Sequence, residues 1–162
     1  MSENLSLRKA TRYDAPALLG LITALAEFES LPPPDPDAQL RLVEHGFSEQ
    51  PRFEAWLAEW AGVETPIGYA LVFETYSTFL ARPTLFLEDI FVLPRFRDQG
   101  VGGALFRHCL CLAKDRGCGR MELSCLNWNT QAQQVYEKMG AQRMTDWYLY
   151  RLTRETIEQL CR

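Results

Sequence analysis

The chain has 162 residues, 47% of them apolar and 23% charged, a balance that fits one globular domain and excludes a disordered chain. At this length roughly 70% of the unfolded surface is buried on folding, so the core needs no disulfide or metal staple. Seventeen basic against twenty-one acidic side chains leave a net charge of −4, which argues against a nucleic-acid binder and is compatible with a cationic substrate without requiring one.

The five cysteines (Cys109, Cys111, Cys118, Cys125, Cys161) form no CxxC pair, and the only histidines are His45 and His108, so no metal site is expected. An odd cysteine count, with no apolar leader in MSENLSLRKA, predicts reduced thiols and a cytoplasmic location. No apolar run approaches the roughly 20 residues that span a bilayer, so no membrane partner is expected.

Residues 5–10 read as a short strand. Asp14 then stands as a candidate cap for a helix with Pro16 in its first turn, and Leu18, Leu21, Ile22, Leu25 and Phe28 recur at helical spacing. LPPPDPD, residues 31–37, cannot continue a helix and makes an extended loop. A second helix is predicted over residues 37–46, ended by glycine. Residues 53–59 and 67–76 read as an antiparallel pair joined by a turn-rich link. Residues 84–92, TLFLEDIFV, give the strongest strand signal, bounded by Pro83 and Pro94. A helix follows over residues 100–116, with His108 expected on its polar flank, then a strand over residues 121–125. A helix over residues 130–139 and a final strand over residues 146–152 complete the chain. The order predicts an α+β domain with a mixed sheet, in which the strand–helix–strand unit from 84 to 125 makes its two strands parallel neighbours.

The informative stretch is LEDIFVLPRFRDQGVGGAL, residues 87–105. A strand ends at a proline, a short polar link follows, and Gly100, Gly102 and Gly103 open a helix. Helix-start amides lack an intrahelical acceptor and sit at the positive end of the dipole, so such a turn suits a phosphate, with Arg97 as a nearby cation. The glycines serve equally to make a tight turn, and both readings stand on them alone. A P-loop is excluded because no Lys-Ser/Thr pair follows the glycines, and a Rossmann fingerprint because Leu105 stands where a glycine or alanine is needed.

RDQGVG, residues 97–102, resembles the RxxGxG/A motif of the GNAT acetyltransferases. LEDIFVLPRFR, GVGGALF, the Asn127-Trp128-Asn129 run and VYEKMGA (135–141) follow in that family's order, and the likeness spans roughly residues 7–152. LAEFE (25–29), HGFSEQPRF (45–53) and LED (87–89) are similar to the spermidine/spermine branch, while Ser77 and Phe79 stand where that branch has an acid and a tryptophan, and the YST pattern (76–78) is closer to the sister branch that acetylates thialysine.

The resemblance implies a GNAT fold with two splayed parallel strands, acetyl-CoA as co-substrate and a small primary amine as acceptor. It implies cofactor contacts from Ile90, Phe91, Val92, Arg97, Asp98, Gln99, Gly100, Val101, Gly102 and Gly103, with the backbone of residues 90–92 holding the thioester. Asn129 is then a cofactor contact, a helix cap or both. Glu88 is implied as the base and Tyr136 as the acid that protonates the leaving thiolate. Glu29, Phe79, Glu88 and Asp89 are implied at the amine, although a helical glutamate such as Glu29 is also an ordinary solvated residue. In a regular strand Glu88 and Asp89 point to opposite faces, so either a bulge brings both to the site or only one acts. A homodimer is also implied, with residues 146–152 as one candidate interface strand. Two alternatives stay open: a protein or peptide acetyltransferase with a wider groove, and a non-catalytic CoA-binding module.

Overall fold

The computed structural model describes residues 4–161, in two compact units, Met1–Ser124 and Cys125–Arg162. The first unit holds a five-stranded sheet in the order β1 (Leu5–Lys9), β2 (Glu54–Trp60), β3 (Gly68–Ser77), β4 (Arg82–Val92) and β5 (Arg120–Leu123). The first four strands are antiparallel neighbours, and β5 joins β4 in parallel. Helices α1 (Ala15–Phe28), α2 (Pro36–Gly46) and α3 (Val101–Asp115) belong to the same unit. The mixed, mostly antiparallel sheet is therefore as the sequence predicts.

Alternation along the strands divides the sheet into two apolar faces. Ala55, Leu57, Tyr69, Leu71 and Phe91 form one buried cluster with Leu18 and Leu21 of α1. On the opposite face Trp56 meets His108 of α3, ring centroids 4.0 Å apart, and Val92 lies against Gly102 at the start of α3. His108 is thus turned toward the sheet rather than onto a polar flank. Its Nε2 is buried without a hydrogen-bond partner among the described residues, and burial lowers its pKa. The pattern follows from the helix: Leu105, Cys109 and Ala113 lie on the buried stripe, and His108 flanks it one residue away.

Two helix starts differ from expectation. Asp14 does not cap α1 with its side chain. Its carboxylate instead takes a bidentate pair of hydrogen bonds from Arg8, at 2.7 and 2.8 Å, and one from the backbone N–H of Thr11. Helix α2 begins one residue before the predicted start because Asp35 accepts a hydrogen bond from Ala38 N at 2.7 Å and Pro36 fills the first turn.

The second unit contains α4 (Thr130–Lys138) and α5 (Arg154–Leu160). The expected strand over residues 146–152 does not form: that segment has no regular structure, and Trp147, Tyr148 and Tyr150 are exposed. Alternating aromatics carry a β pattern, but a strand needs a ladder partner and none pairs with this one among the described residues. Helix α5 is absent from the sequence prediction. Its signals are a Thr153 cap that accepts from Thr156 N and an Arg154–Glu158 ion pair one turn apart.

Candidate active site

The acidic pair sits on an irregularity of β4. Leu71 pairs with Asp89 and the next residue of β3, Val72, pairs with Leu87, so Glu88 has no partner of its own. This is a β-bulge, which re-aims side chains at the cost of one ladder position. With it, Glu88 and Asp89 both line one cleft, together with Leu71 and Phe73 of β3. Of the two arrangements the sequence allows, the bulged one is observed.

The cleft has a volume of about 450 Å³ and is completed by Ile22, Pro34, Leu42, Arg52 and Phe53. Glu88 is exposed, whereas Asp89 is partly buried and accepts a hydrogen bond from the hydroxyl of Tyr69 at 3.0 Å. Burial pushes the Asp89 carboxyl up to about 6; the Tyr69 hydrogen bond opposes that rise, and the charges of Glu88 and Glu29 add to it. Glu29, at the C-terminal end of α1, is itself raised by burial. The three acids are thus brought into one electrostatic neighbourhood. Tyr69 is fully buried, and its hydroxyl is pushed well above the usual phenol range, first by burial and then by Asp89. Sequence reasoning missed Tyr69, since a tyrosine in an apolar strand carries no sign that its hydroxyl reaches a carboxylate on the next strand.

Phe79 is not at this cleft. It lies in the turn after β3 and is 98% exposed. Six residues of strand separate the Leu71–Asp89 pair from the Ser77–Arg82 end of the hairpin, roughly 20 Å at 3.3 Å per residue.

Beyond the bulge, β4 is paired on one edge only. The parallel ladder with β5 runs from Thr84 to Leu87 and stops, while β4 continues to Val92 against β3. Leu93 N–H donates to Ile67 O at 2.9 Å, facing β3, whereas Val92 O accepts from Arg97 Nε at 3.0 Å, facing the other way. Strand alternation then turns the N–H groups of Val92 and Ile90 toward the open edge and that of Phe91 toward β3. Of the three backbone groups expected to meet a thioester, two are therefore available on the open edge.

The glycine turn lies directly after this edge. Asp98 and Gly100 both have positive φ, 60° and 84°, and Gly100 precedes the first turn of α3. The first helical hydrogen bond is Ala104 N to Gly100 O at 2.9 Å, which leaves the amides of Val101, Gly102 and Gly103 without intrahelical acceptors. A Cβ at Gly102 would meet only Val92 Cγ2, at 3.8 Å, an ordinary contact. Packing therefore does not demand glycine there, and the bare backbone is free for close approach by a ligand. Gly102, the amide row and the open edge of β4 together fit a pyrophosphate with an extended arm. Arg97 is committed elsewhere: besides its bond to Val92 O, its guanidinium lies 4.4 Å from the ring centre of Phe28 and 5.5 Å from that of Phe91. Gln99 closes the link by donating to Arg95 O.

In the second unit, Asn129 caps α4 by accepting from Ala132 N at 3.2 Å. Tyr136 lies in the last turns of the same helix, partly buried, and its carbonyl accepts from Met139 N and Ala141 N.

The Acetyltransferase (GNAT) family model matches residues 21–141. A thialysine N-epsilon-acetyltransferase from Bos taurus is 33% identical over 163 residues, covering 95% of each chain. Among solved structures, an integron cassette protein from the mobile metagenome of V. cholerae superposes with a TM-score of 0.84 at 18% identity, covering 99% of both chains, a likeness of fold alone. An aminoglycoside N-acetyltransferase in complex with CoA, 26% identical, gives a TM-score of 0.75 over 91% of this chain and 94% of its own. Turn, open strand edge and family match agree, and the chain belongs to the GNAT acetyltransferases as an N-acetyltransferase that uses acetyl-CoA.

Proposed function

We propose that this enzyme transfers acetyl from acetyl-CoA to the primary amine of a small molecule, a thialysine-like amino acid or a diamine, by direct attack in a ternary complex. The observation that carries the reading is the bulge of β4, which sets two carboxylates on the wall of an otherwise mostly apolar cleft. An alkylammonium has a pKa near 10.4, so only about one part in a thousand is neutral near pH 7.4, and losing the proton costs roughly 4 kcal/mol. Exposed Glu88 takes that proton, directly or through water, while Asp89 and Glu29 attract the cation. The Ile90 and Val92 amides receive the developing oxyanion, and the backbone from Asp98 to Gly103 grips the pyrophosphate. Tyr136 returns a proton to the thiolate; its support is its place in the VYEKMGA segment. Asn129 adds a cofactor contact to its capping role. Phe79 has no part in this reading.

Residues 1–162 then act as one acetyltransferase domain. Cys109, Cys111, Cys118 and Cys161 are free thiols, which agrees with a cytoplasmic enzyme. A homodimer is part of the proposal, supported by the exposed run of Trp147, Tyr148, Leu149 and Tyr150; a light-scattering mass of a single chain would remove it.

Thiol release from acetyl-CoA, measured with thialysine, lysine, diamines, spermidine and a lysine peptide, tests the reading. Turnover is expected with one or more small amines, and reaction with the peptide alone would overturn it. In the same assay Tyr136→Phe is expected to lower kcat at least tenfold with little change in the KM for acetyl-CoA. An unaltered kcat would take the acid role from Tyr136.

A further inference from the structure

The cleft that carries Glu88 and Asp89 also carries a cation, Arg52. Several cations of the first unit are already matched, Arg8 with Asp14 and Glu59, Lys9 and Arg116 with Glu54, Arg120 with Glu122, whereas Arg52 is the one cation in the lining of this cleft. Arg97 is spent on an aromatic pair and a backbone carbonyl. Arg52 is exposed, and no carboxylate pairs with it among the described residues.

Its backbone is nevertheless well held. Arg52 N–H donates to His45 O at 2.8 Å, tying the segment back to the end of α2. The next residue, Phe53, packs against the core cluster, and its ring comes so close to Gly46 that a Cβ there would lie 2.6 Å away. The guanidinium therefore starts from a fixed rim position. Apart from Arg52 and the two acids, the lining is Ile22, Pro34, Leu42, Phe53, Leu71 and Phe73, with no further charge.

We infer that Arg52 binds a carboxylate of the acceptor, so that this cleft selects an amino acid with a terminal side-chain amine over the diamine or polyamine of equal length. The inference rests on the amine acetyltransferase reading and narrows its substrate class. The reactive amine meets Glu88 and Asp89, the methylenes cross the apolar lining, and the carboxylate takes the planar, two-pronged donor set of the guanidinium. A diamine would bring its second ammonium to the same guanidinium and be repelled. A cleft of about 450 Å³ holds a molecule of that size.

Lysine and cadaverine differ only in the carboxylate, and so do thialysine and its decarboxylated diamine. Each pair is to be assayed with the native enzyme, Arg52→Gln, Arg52→Lys and Arg52→Glu. For the amino acids, Arg52→Gln is expected to raise KM roughly 10- to 100-fold, Arg52→Lys to recover part of that, and Arg52→Glu to raise it further. For the diamines, KM is expected to fall in Arg52→Gln and to fall most in Arg52→Glu. Equal changes for both members of a pair, or none, overturn the assignment. Calorimetric titration of lysine into the native and Arg52→Gln proteins, each with coenzyme A present, separates the two levels of the argument. If no small amine turns over yet lysine binding is weakened by the substitution, Arg52 stands and the reaction assignment falls. If lysine binds both equally, or neither, the role of Arg52 falls.

Discussion

Asp89 is held where its charge is least welcome. Burial and the neighbouring acids Glu88 and Glu29 raise its carboxyl to about 6 from an ordinary 3.8, and the hydroxyl of Tyr69 only partly offsets them. Between those two values the folded chain binds more protons than the unfolded one. The group therefore favours folding at low pH, and that contribution is lost as pH rises through 6. Asp89→Asn removes the charge but keeps an acceptor for Tyr69. It is expected to stabilise the free enzyme at pH 8 by on the order of 2 kcal/mol, with the gain shrinking toward pH 4. Thermal melts of both proteins across that range check it, and a difference independent of pH would refute the electrostatic origin. His108 works with the opposite sign: burial lowers its pKa, so it withdraws stability as pH falls below about 6.5. The difference between the two melting curves removes that shared background. A site that pays this cost when empty is prepared for a cation.

At the scale of elements, the acids and the glycine turn acquire meaning from where a ladder stops. The parallel pairing of β4 ends at Leu87, the bulge falls at Glu88, and the one-sided edge runs on to the turn that opens α3. The strands and α3 were legible in the sequence because their apolar periodicity and their proline and glycine stops are local signals. The bulge was not, because it is a property of register between β3 and β4 that neither strand carries alone. Residues 146–152 misled for the same reason: alternation describes a strand's faces but names no partner. Asp14 looked like a cap until Arg8, six residues earlier, claimed its carboxylate. Arg97, read as a cation for phosphate, is held against Phe28 and Phe91, a contact between α1 and β4 that no local motif reports. The turn itself yields a clean expectation. Gly102 is not required by packing, so Gly102→Val should fold with a Tm within a few degrees of the native value while its branched side chain covers the approach to the amide row. The Kd for acetyl-CoA is expected to rise at least tenfold by calorimetry. Native affinity in the variant would move the pyrophosphate to another place.

For the molecule as a whole, the sheet unit has a sound core, with Leu57, Ile67, Tyr69, Val72, Leu85 and Leu105 fully buried, but its cleft and its strand edge are left open. A protein built in this way is completed by its co-substrate. Ligand that binds only the folded state stabilises it by RT ln(1 + [L]/Kd), about 2.7 kcal/mol at a hundredfold excess over Kd. For a chain of this size each kcal/mol moves Tm by roughly 2–4 °C, so saturating acetyl-CoA is expected to raise Tm by about 5–11 °C. Coenzyme A should produce most of the shift, because the pyrophosphate and the extended arm contribute most of the contacts and the acetyl group few. NAD and ATP share the phosphates but lack the arm that would lie along Ile90 and Val92. A clear ordering of acetyl-CoA and coenzyme A above NAD and ATP in a thermal-shift series would tie the stabilisation to the open edge of β4 as well as to the glycine turn. Equal shifts from all four would reduce the site to the turn alone, and the edge would lose its assigned role.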